Sequence, residues 1–568
     1  MFFIFLSFFI SSIYFLLVGA LSFKILFSEN LKSKSNYYEL ALIGIISASL
    51  IPFLLNFFIS LNLFLNNLLF ILPFIAIFFL TKIRKELDFK KILIVSLIVS
   101  IISTFLISFD NVYRPDAGSY HLPFISILNN EKIIIGLSNL HFRFGHISIM
   151  QYLSASFNNH IFLDNGILIP LALIFSFFIL YFVNLFFKEK NNLNFLIIFT
   201  ILIFVIFRMN RYSSFGNDAP AHFYFLYLIV LTLNYKSYIG NYNTYFNKIS
   251  LISIFIFFNK ITMLIAFFIP FYFIFNKKFL DIYKSKVFIF ILIIFFSWIG
   301  KNILISGCAA FPLEQTCFKN LEWFDKSETR RSNAISGRIE NEAWTKGVTG
   351  QSEKNFEQYI SSLDWINTWK KGHGVKILKK ITPFILFMLF TTIYLLTIVE
   401  RCKIKKLEKK NSFIFFLLLI NLIGSLMWFL KFPVFRYGYG YLIGSFAILY
   451  SLILTNFIKI DEIKFKKTAK VIFCVLFVGI LTKHSLRIYE NASIKNSPWP
   501  NIYSDQNINT KYQLFSNFNN DQIVFYNPEL SMCYYTDLTP CTHLTHEANI
   551  ENIQLKLIYG YKKYSFTK

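Results

Sequence analysis

The sequence predicts an all-α polytopic membrane protein of about 12 to 14 transmembrane helices, with a small α/β appendage at its C-terminal end. Three observations lead there. Of 568 residues, 55% are hydrophobic, 20% aromatic and only 15% charged, whereas soluble domains carry roughly 25% charged residues. Apolar runs of about 18 residues, the length of a membrane span, recur from end to end. The formal charge of +25 comes from lysines placed between those runs, as expected of cytoplasmic loops. No basic stripe interleaved with aromatics lies on a soluble segment, so nucleic acid is excluded as a partner and the lipid bilayer takes its place.

A membrane-length window finds the first six segments near Phe2 to Ser22, Tyr38 to Leu61, Leu63 to Leu80, Ile92 to Phe109, Gly166 to Phe187 and Leu193 to Met209. Eight more follow near Ala219 to Asn234, Ile249 to Phe258, Thr262 to Phe275, Val287 to Ile305, Ile381 to Val399, Ser412 to Leu430, Tyr437 to Phe457 and Val471 to Leu481. The first segment reads as an uncleaved helix and not a secretory signal, because it lacks a basic start and is followed by Lys24, Lys32 and Lys34. The stretches around Lys82 to Lys91, Arg401 to Lys410 and Lys459 to Lys470 belong inside. If the pair broken at Asn259 and Lys260 makes two passes, Lys277, Lys278, Lys284 and Lys286 fall inside as well. Both termini and three large segments, 110–165, 306–380 and 483–568, then lie outside. The expected organisation is extra N-terminal helices over 1–91, a transmembrane core over 92–484 and a small outer domain over 485–568. In that last domain Gln522 to Tyr526 reads as a strand and Ile550 to Tyr559 as a strand or short helix.

The cysteines test this sidedness. Cys308 and Cys317 share one outer loop and Cys533 and Cys541 the tail, so two local disulfides fit an oxidising compartment, while Cys402 and Cys474 fall in an inner loop and a span. A zinc site is the competing reading, but the spacings are not those of zinc knuckles. No P-loop, dinucleotide fingerprint, zinc-protease motif or nucleophile elbow is present.

Acidic residues are scarce, which makes those on the outer side informative. Asp110-Asn-Val-Tyr-Arg-Pro-Asp116-Ala-Gly-Ser-Tyr120-His121 directly follows a span. A carboxylate there can take a proton from a hydroxyl or simply cap a helix. An amphipathic stretch to Glu131 follows, and then Gly136-Leu-Ser-Asn-Leu-His141-Phe-Arg143-Phe-Gly145-His146. Further on stand Asn217-Asp218 at the opening of a span, Asn259-Lys260-Ile-Thr262 at the helix break, and Lys431-Phe-Pro-Val-Phe-Arg436-Tyr437-Gly438 at the start of a late span.

In their order and common sidedness these fragments resemble the GT-C glycosyltransferases that use lipid-linked sugars, such as the aminoarabinose and protein mannosyl transferases. The similarity covers roughly Ile92 to Phe457. It implies a GT-C-like helical bundle in the bacterial inner membrane with its active site facing the periplasm. Its partners would be a polyprenyl-phosphate-linked sugar donor and a glycan or lipid acceptor. Many members carry an Asp-Glu pair where this chain has Asp116-Ala117, which weakens a two-carboxylate metal role. A divalent cation, Mg or Mn, shared by Asp116 and Asp218 stays open.

The resemblance makes Asp116 the general base of an inverting displacement and lets Asp218 orient the acceptor. Arg436 and Lys260 would face the phosphate, whose charge grows as it leaves. Both could instead be interfacial anchors. Tyr120, His121, His141, Arg143 and His146 line the same loop as substrate contacts or as solvated side chains, and Tyr120 and Trp365 could stack on a sugar ring or belong to an aromatic belt. Two rival functions remain. One is an O-antigen polymerase or ligase working through Arg330, Arg331 and Arg338. The other is a transporter or flippase of lipid-linked sugar built on the helix break.

Overall fold

The computed structural model describes residues 1–28, 31, 36–110, 116–208, 216–233, 242–276, 285–324, 339–348, 356–398, 412–457, 461–503, 513–516, 522–526, 532–542 and 553–566. Lys32, Lys34, Lys277, Lys278, Lys284, Arg330, Arg331, Arg338, Arg401 to Lys410 and Lys459 lie outside the described residues, as does Cys402.

The expected apolar segments all coincide with helices. They are α1 (Phe2–Ile25), α2 (Tyr37–Leu55), α3 (Leu63–Phe79) and α4 (Phe89–Ile107), then two short helices of the following loop, α5 (Leu122–Asn130) and α6 (Ile149–Ser156). Next come α7 (Ile169–Lys188), α8 (Asn192–Arg208), α9 (Asp218–Leu233), α10 (Tyr242–Asn259), α11 (Phe268–Asn276) and α12 (Lys286–Ser306). The last are α13 (Val375–Ile398), α14 (Ser412–Lys431), α15 (Phe435–Phe457) and α16 (Glu462–Ala492). Among the described residues nine helices are long and apolar enough to cross a membrane. Leu63–Phe79, Asn192–Phe207, Asp218–Leu233 and Ile261–Ile274 are apolar but shorter. Large apolar side chains such as Phe64, Phe78, Phe296 and Phe390 stand exposed on the flanks of α3, α12 and α13, a surface suited to lipid and not to water.

The break at Lys260 reverses the chain. Pairs that straddle it meet: the Ser253 hydroxyl donates to the Ala266 carbonyl at 3.3 Å, and the rings of Tyr245 and Phe273 stand 5.3 Å apart. A straight helix would separate the second pair by about 40 Å. The segment therefore runs out and back, as the placement of the lysines requires.

α1 and α2 are not peripheral. They cross so closely that a β-carbon on Gly19 would fall 1.9 Å from the Leu40 carbonyl oxygen and one on Gly44 2.0 Å from that of Phe15, which is the small-residue packing of membrane helices. α2 then braces two later helices. Tyr224 of α9 donates to the Leu42 carbonyl at 2.8 Å, and the buried Lys248 of α10 pairs with Glu39 at 3.1 Å.

The two ends of the bundle differ in charge and in chemistry. Lys82, Arg84 and Lys85 precede α4, Lys90 and Lys91 stand in its first turn, and Lys464, Lys466, Lys467 and Lys470 open α16; there Lys466 donates to the carbonyls at the end of α7. At the other end Arg487 of α16 donates to the carbonyls of Phe105, Leu106 and Ser108 at 2.8, 3.1 and 2.9 Å. These are the orphan acceptors at the C-terminus of α4, where a cation is favoured. Both expected disulfides, Cys308–Cys317 and Cys533–Cys541, are formed, and the second lies at this end.

The described residues beyond Ala492 hold strands and no helix, the β part of the expected α/β appendage. Two antiparallel hairpins form, β1 (Gln513–Ser516) with β2 (Gln522–Tyr526) and β3 (Ile553–Ile558) with β4 (Tyr561–Phe566). The second is stitched into the loop after α5. Ile135 donates to the Lys562 carbonyl and accepts from the Tyr564 N–H, both at 2.9 Å, and Tyr564 is fully buried.

Candidate functional site

Four helix ends deliver the charged residues singled out from the sequence, and all four charges meet. Asp116 opens a π-helical turn over Ala117–His121 and makes no side-chain capping bond, so the capping role does not hold its carboxylate. Arg436, one residue into α15, donates to it instead through Nη1 at 2.8 Å. The Arg436 Nε lies 3.9 Å from the Asp218 carboxylate at the start of α9, and the other oxygen of Asp218 receives the Lys260 ammonium. The order is therefore carboxylate, guanidinium, carboxylate, ammonium. An interfacial anchor would turn its charged head to water; Arg436 and Lys260 both turn theirs to carboxylates.

Side-chain exposure falls along the row, from 37% at Asp116 through 29% at Arg436 and 25% at Asp218 to 10% at Lys260. Asp116 is thus the more exposed of the two carboxylates, and Lys260 is the most enclosed charge. Tyr437, not foreseen as a site residue, ties the row together. Its hydroxyl accepts from Arg436 Nη2 at 2.9 Å, and the Lys260 ammonium sits 4.0 Å from its ring centroid, a cation–π distance. Its place beside Arg436 in the sequence was the available signal. Two indole N–H groups hold the turn before α15: Trp369 donates to the Pro433 carbonyl at 2.7 Å and Trp428 to that of Val434 at 2.8 Å. His222 Nε2 lies 3.1 Å from the Arg436 carbonyl.

The loop residues sort into different jobs. Tyr120 is half-buried beneath Arg143, whose guanidinium carbon is 5.6 Å from the ring; burial, reinforced by Asp116, holds its phenol above the usual range. Arg143 also reaches Asn341 at 3.3 Å. His141 is buried, and its Nδ1 accepts the Arg143 N–H at 3.0 Å, which is a capping role. The His146 ring packs 5.4 Å from Phe311. Trp365 is a correction: it is 1% exposed and lies beneath the Lys346 ammonium, so no sugar can stack on it. The aromatic at the site's rim is Trp344, which is 43% exposed with its ring 5.8 Å from the Arg436 guanidinium.

His121 faces a small crevice of about 10 Å³, lined also by Ser148, Gln151, Ser154, Gly216 and Asn217. The Gln151 oxygen accepts from the Ser148 N–H at 3.1 Å, which turns its amide nitrogen to His121 Nδ1 at 3.3 Å. Nδ1 is then the acceptor and the ring proton sits on Nε2. Burial pushes the pKa of His121 down to about 4, against the pull of Asp116 and Asp218. Folding keeps the ring neutral where an unfolded chain would protonate it. The stability this contributes is whole above about pH 6.5 and is lost as pH falls towards the folded value. Thermal midpoints in detergent should therefore drop between about pH 6.5 and pH 4, and by less in His121→Gln; an unchanged drop in that variant would remove His121 as the cause.

The site residues do not fit a divalent ion. Asp116 and Asp218 already face Arg436 and Lys260, and no group of three or more His, Cys, Asp or Glu residues stands ready to hold a metal among the described residues. Cationic side chains are in surplus nearby. Lys370, Lys371, Lys376 and Lys379 are exposed around the start of α13 and make no ion pair among the described residues.

The fold and site define a mostly helical protein with multi-pass apolar helices and a charged row at the end of the bundle opposite its basic loops. Residues 1–443 match the family described as "Domain of unknown function (DUF8201)", and the chain belongs to that family. No curated protein matches the chain, and no solved structure does.

Proposed function

We propose that the chain is an inverting membrane glycosyltransferase of GT-C type, moving a sugar from a polyprenyl-phosphate carrier to a glycan or lipid acceptor at the periplasmic face of the inner membrane. The observation that carries this reading is the charged row. One reachable carboxylate stands against a guanidinium, with a second carboxylate and an ammonium behind it, at the bundle end that holds the tail disulfide and lies away from the basic loops. The positive-inside tendency turns those loops to the cytoplasm and the row outward.

In this reading Asp116 takes the proton of the acceptor hydroxyl, whose oxygen attacks the anomeric carbon as the bond from that carbon to the phosphate oxygen breaks. Polyprenyl phosphate leaves with the bonding electron pair. Arg436 and Lys260 stabilise the charge it gains, Arg436 with more than one N–H on the phosphate oxygens. The exposed lysines around the start of α13 favour an anionic headgroup nearby.

The test uses purified protein with a synthetic polyprenyl-phosphate sugar and candidate acceptors, and measures release of polyprenyl phosphate. Turnover in detergent, without a gradient, supports the transferase. No turnover, together with uptake of the lipid-linked sugar across vesicles, would replace it with a transporter.

A further inference from the structure

The turn that carries Asp116 is held from both sides by a part of the chain outside the matched family region. Ahead of it, the Phe109 N–H donates to the Pro498 carbonyl at 2.8 Å, Asn491 Nδ2 donates to the Phe109 carbonyl at 2.8 Å, and the Lys495 ammonium donates to the Asp110 carbonyl at 2.9 Å. Beyond it, the Gly118 carbonyl accepts two N–H groups, from Cys533 at 3.1 Å and Tyr534 at 2.8 Å. Gly118 stands two residues from Asp116 on the same π-helical turn.

The second hold is built for close approach. The Tyr534 ring lies so near Gly118 that a β-carbon there would come within 2.9 Å of it, and Tyr534 keeps its backbone at φ +54°, where side chains are disfavoured. A non-glycine residue held in that region marks a place that the surroundings over-determine. The neighbours supply that constraint. Tyr535 accepts from Asn158 at 2.7 Å and donates to Asn129 at 3.2 Å, the Thr536 carbonyl accepts from Ser126, and the Thr542 hydroxyl donates to the Leu140 carbonyl at 3.3 Å. The Cys533–Cys541 disulfide closes this segment into a ring. Cys533 and Cys541 are themselves buried.

We propose that the disulfide-closed segment Cys533–Cys541 is a positioning element of the site, fixing where Asp116 stands relative to Arg436. Its effect on turnover rests on the transferase reading; its effect on the Asp116 turn does not. A closed ring presents its two adjacent N–H groups to one carbonyl at little entropic loss, whereas an open chain would have to order the same residues each time.

Hydrogen exchange of the full-length protein in detergent tests it. In Cys533→Ser/Cys541→Ser, and separately in Tyr534→Ala, amides 117–122 should exchange at least ~10-fold faster while α9 and α15 keep their native protection. Tyr534→Phe, which keeps the ring, should restore native exchange. If the double serine variant does not fold, the two Tyr534 variants decide. Native protection of 117–122 in Tyr534→Ala, or loss spread equally over α9 and α15, would overturn the proposal. If the unaltered protein also transfers sugar, the Tyr534→Ala variant should lose kcat more than it raises KM. If it transfers none, the functional reading fails and the exchange result still stands on its own.

Discussion

Asp116→Asn is expected to lower transfer by about 10²- to 10⁴-fold, the range for loss of a general base, with the fold intact. Asparagine has nearly the shape of aspartate and can still accept from Arg436 through its amide oxygen, so the geometry at 2.8 Å is retained. What disappears is the capacity to take a proton from an incoming hydroxyl. Initial rates with the lipid-linked donor, together with thermal midpoints of both proteins, check this. A variant that folds and transfers at near-normal rate would shift the chemistry to arginines of the loop 306–380, as in a polymerase.

The second large effect is on stability. Lys260→Met should destabilise the protein by roughly 3 kcal/mol, because it leaves Asp218 enclosed and charged without its ammonium partner. The Lys260 side chain is 10% exposed and that of Asp218 25%, so water can offset only part of the loss. Removing both charges should cost less than removing one. Lys260→Met/Asp218→Leu is expected to recover much of the stability while leaving the protein inactive, and a double-mutant cycle by denaturant unfolding measures the coupling. Additive losses would mean that the two residues do not act as a pair.

How much of this could be read beforehand depends on whether the signal was local. Apolar runs name their own helices, so the element order was legible, and the reversal at Lys260 followed from where the neighbouring lysines had to lie. Asp116, Asp218, Lys260 and Arg436 stood out because acids are few outside the basic loops and because each opens or breaks a helix. Their pairing was not legible: Arg436 and Asp116 are 320 positions apart, and no local pattern encodes that meeting. Burial misled at the tryptophans. Trp344 and Trp365 look alike in a polar loop, yet one is 43% and the other 1% exposed, because Trp365 packs against Phe429 and beneath Lys346. The tail's strands carried a β-like run at Gln522 to Tyr526, but its grip on Gly118 depends on contacts hundreds of residues distant. The N-terminal helices were expected as extra helices outside the core, and packing ties α1 and α2 to it.

That packing bears on the chemistry in an indirect way. The helices that bring Asp218 and Lys260 together are each moored to α2, one by the Tyr224 hydroxyl on Leu42 and the other by Lys248 on Glu39. Because both rods share one mooring, the gap between the two charges is set by a helix that supplies neither of them. Selection on residues such as Glu39 would then record demands made at the opposite end of the molecule.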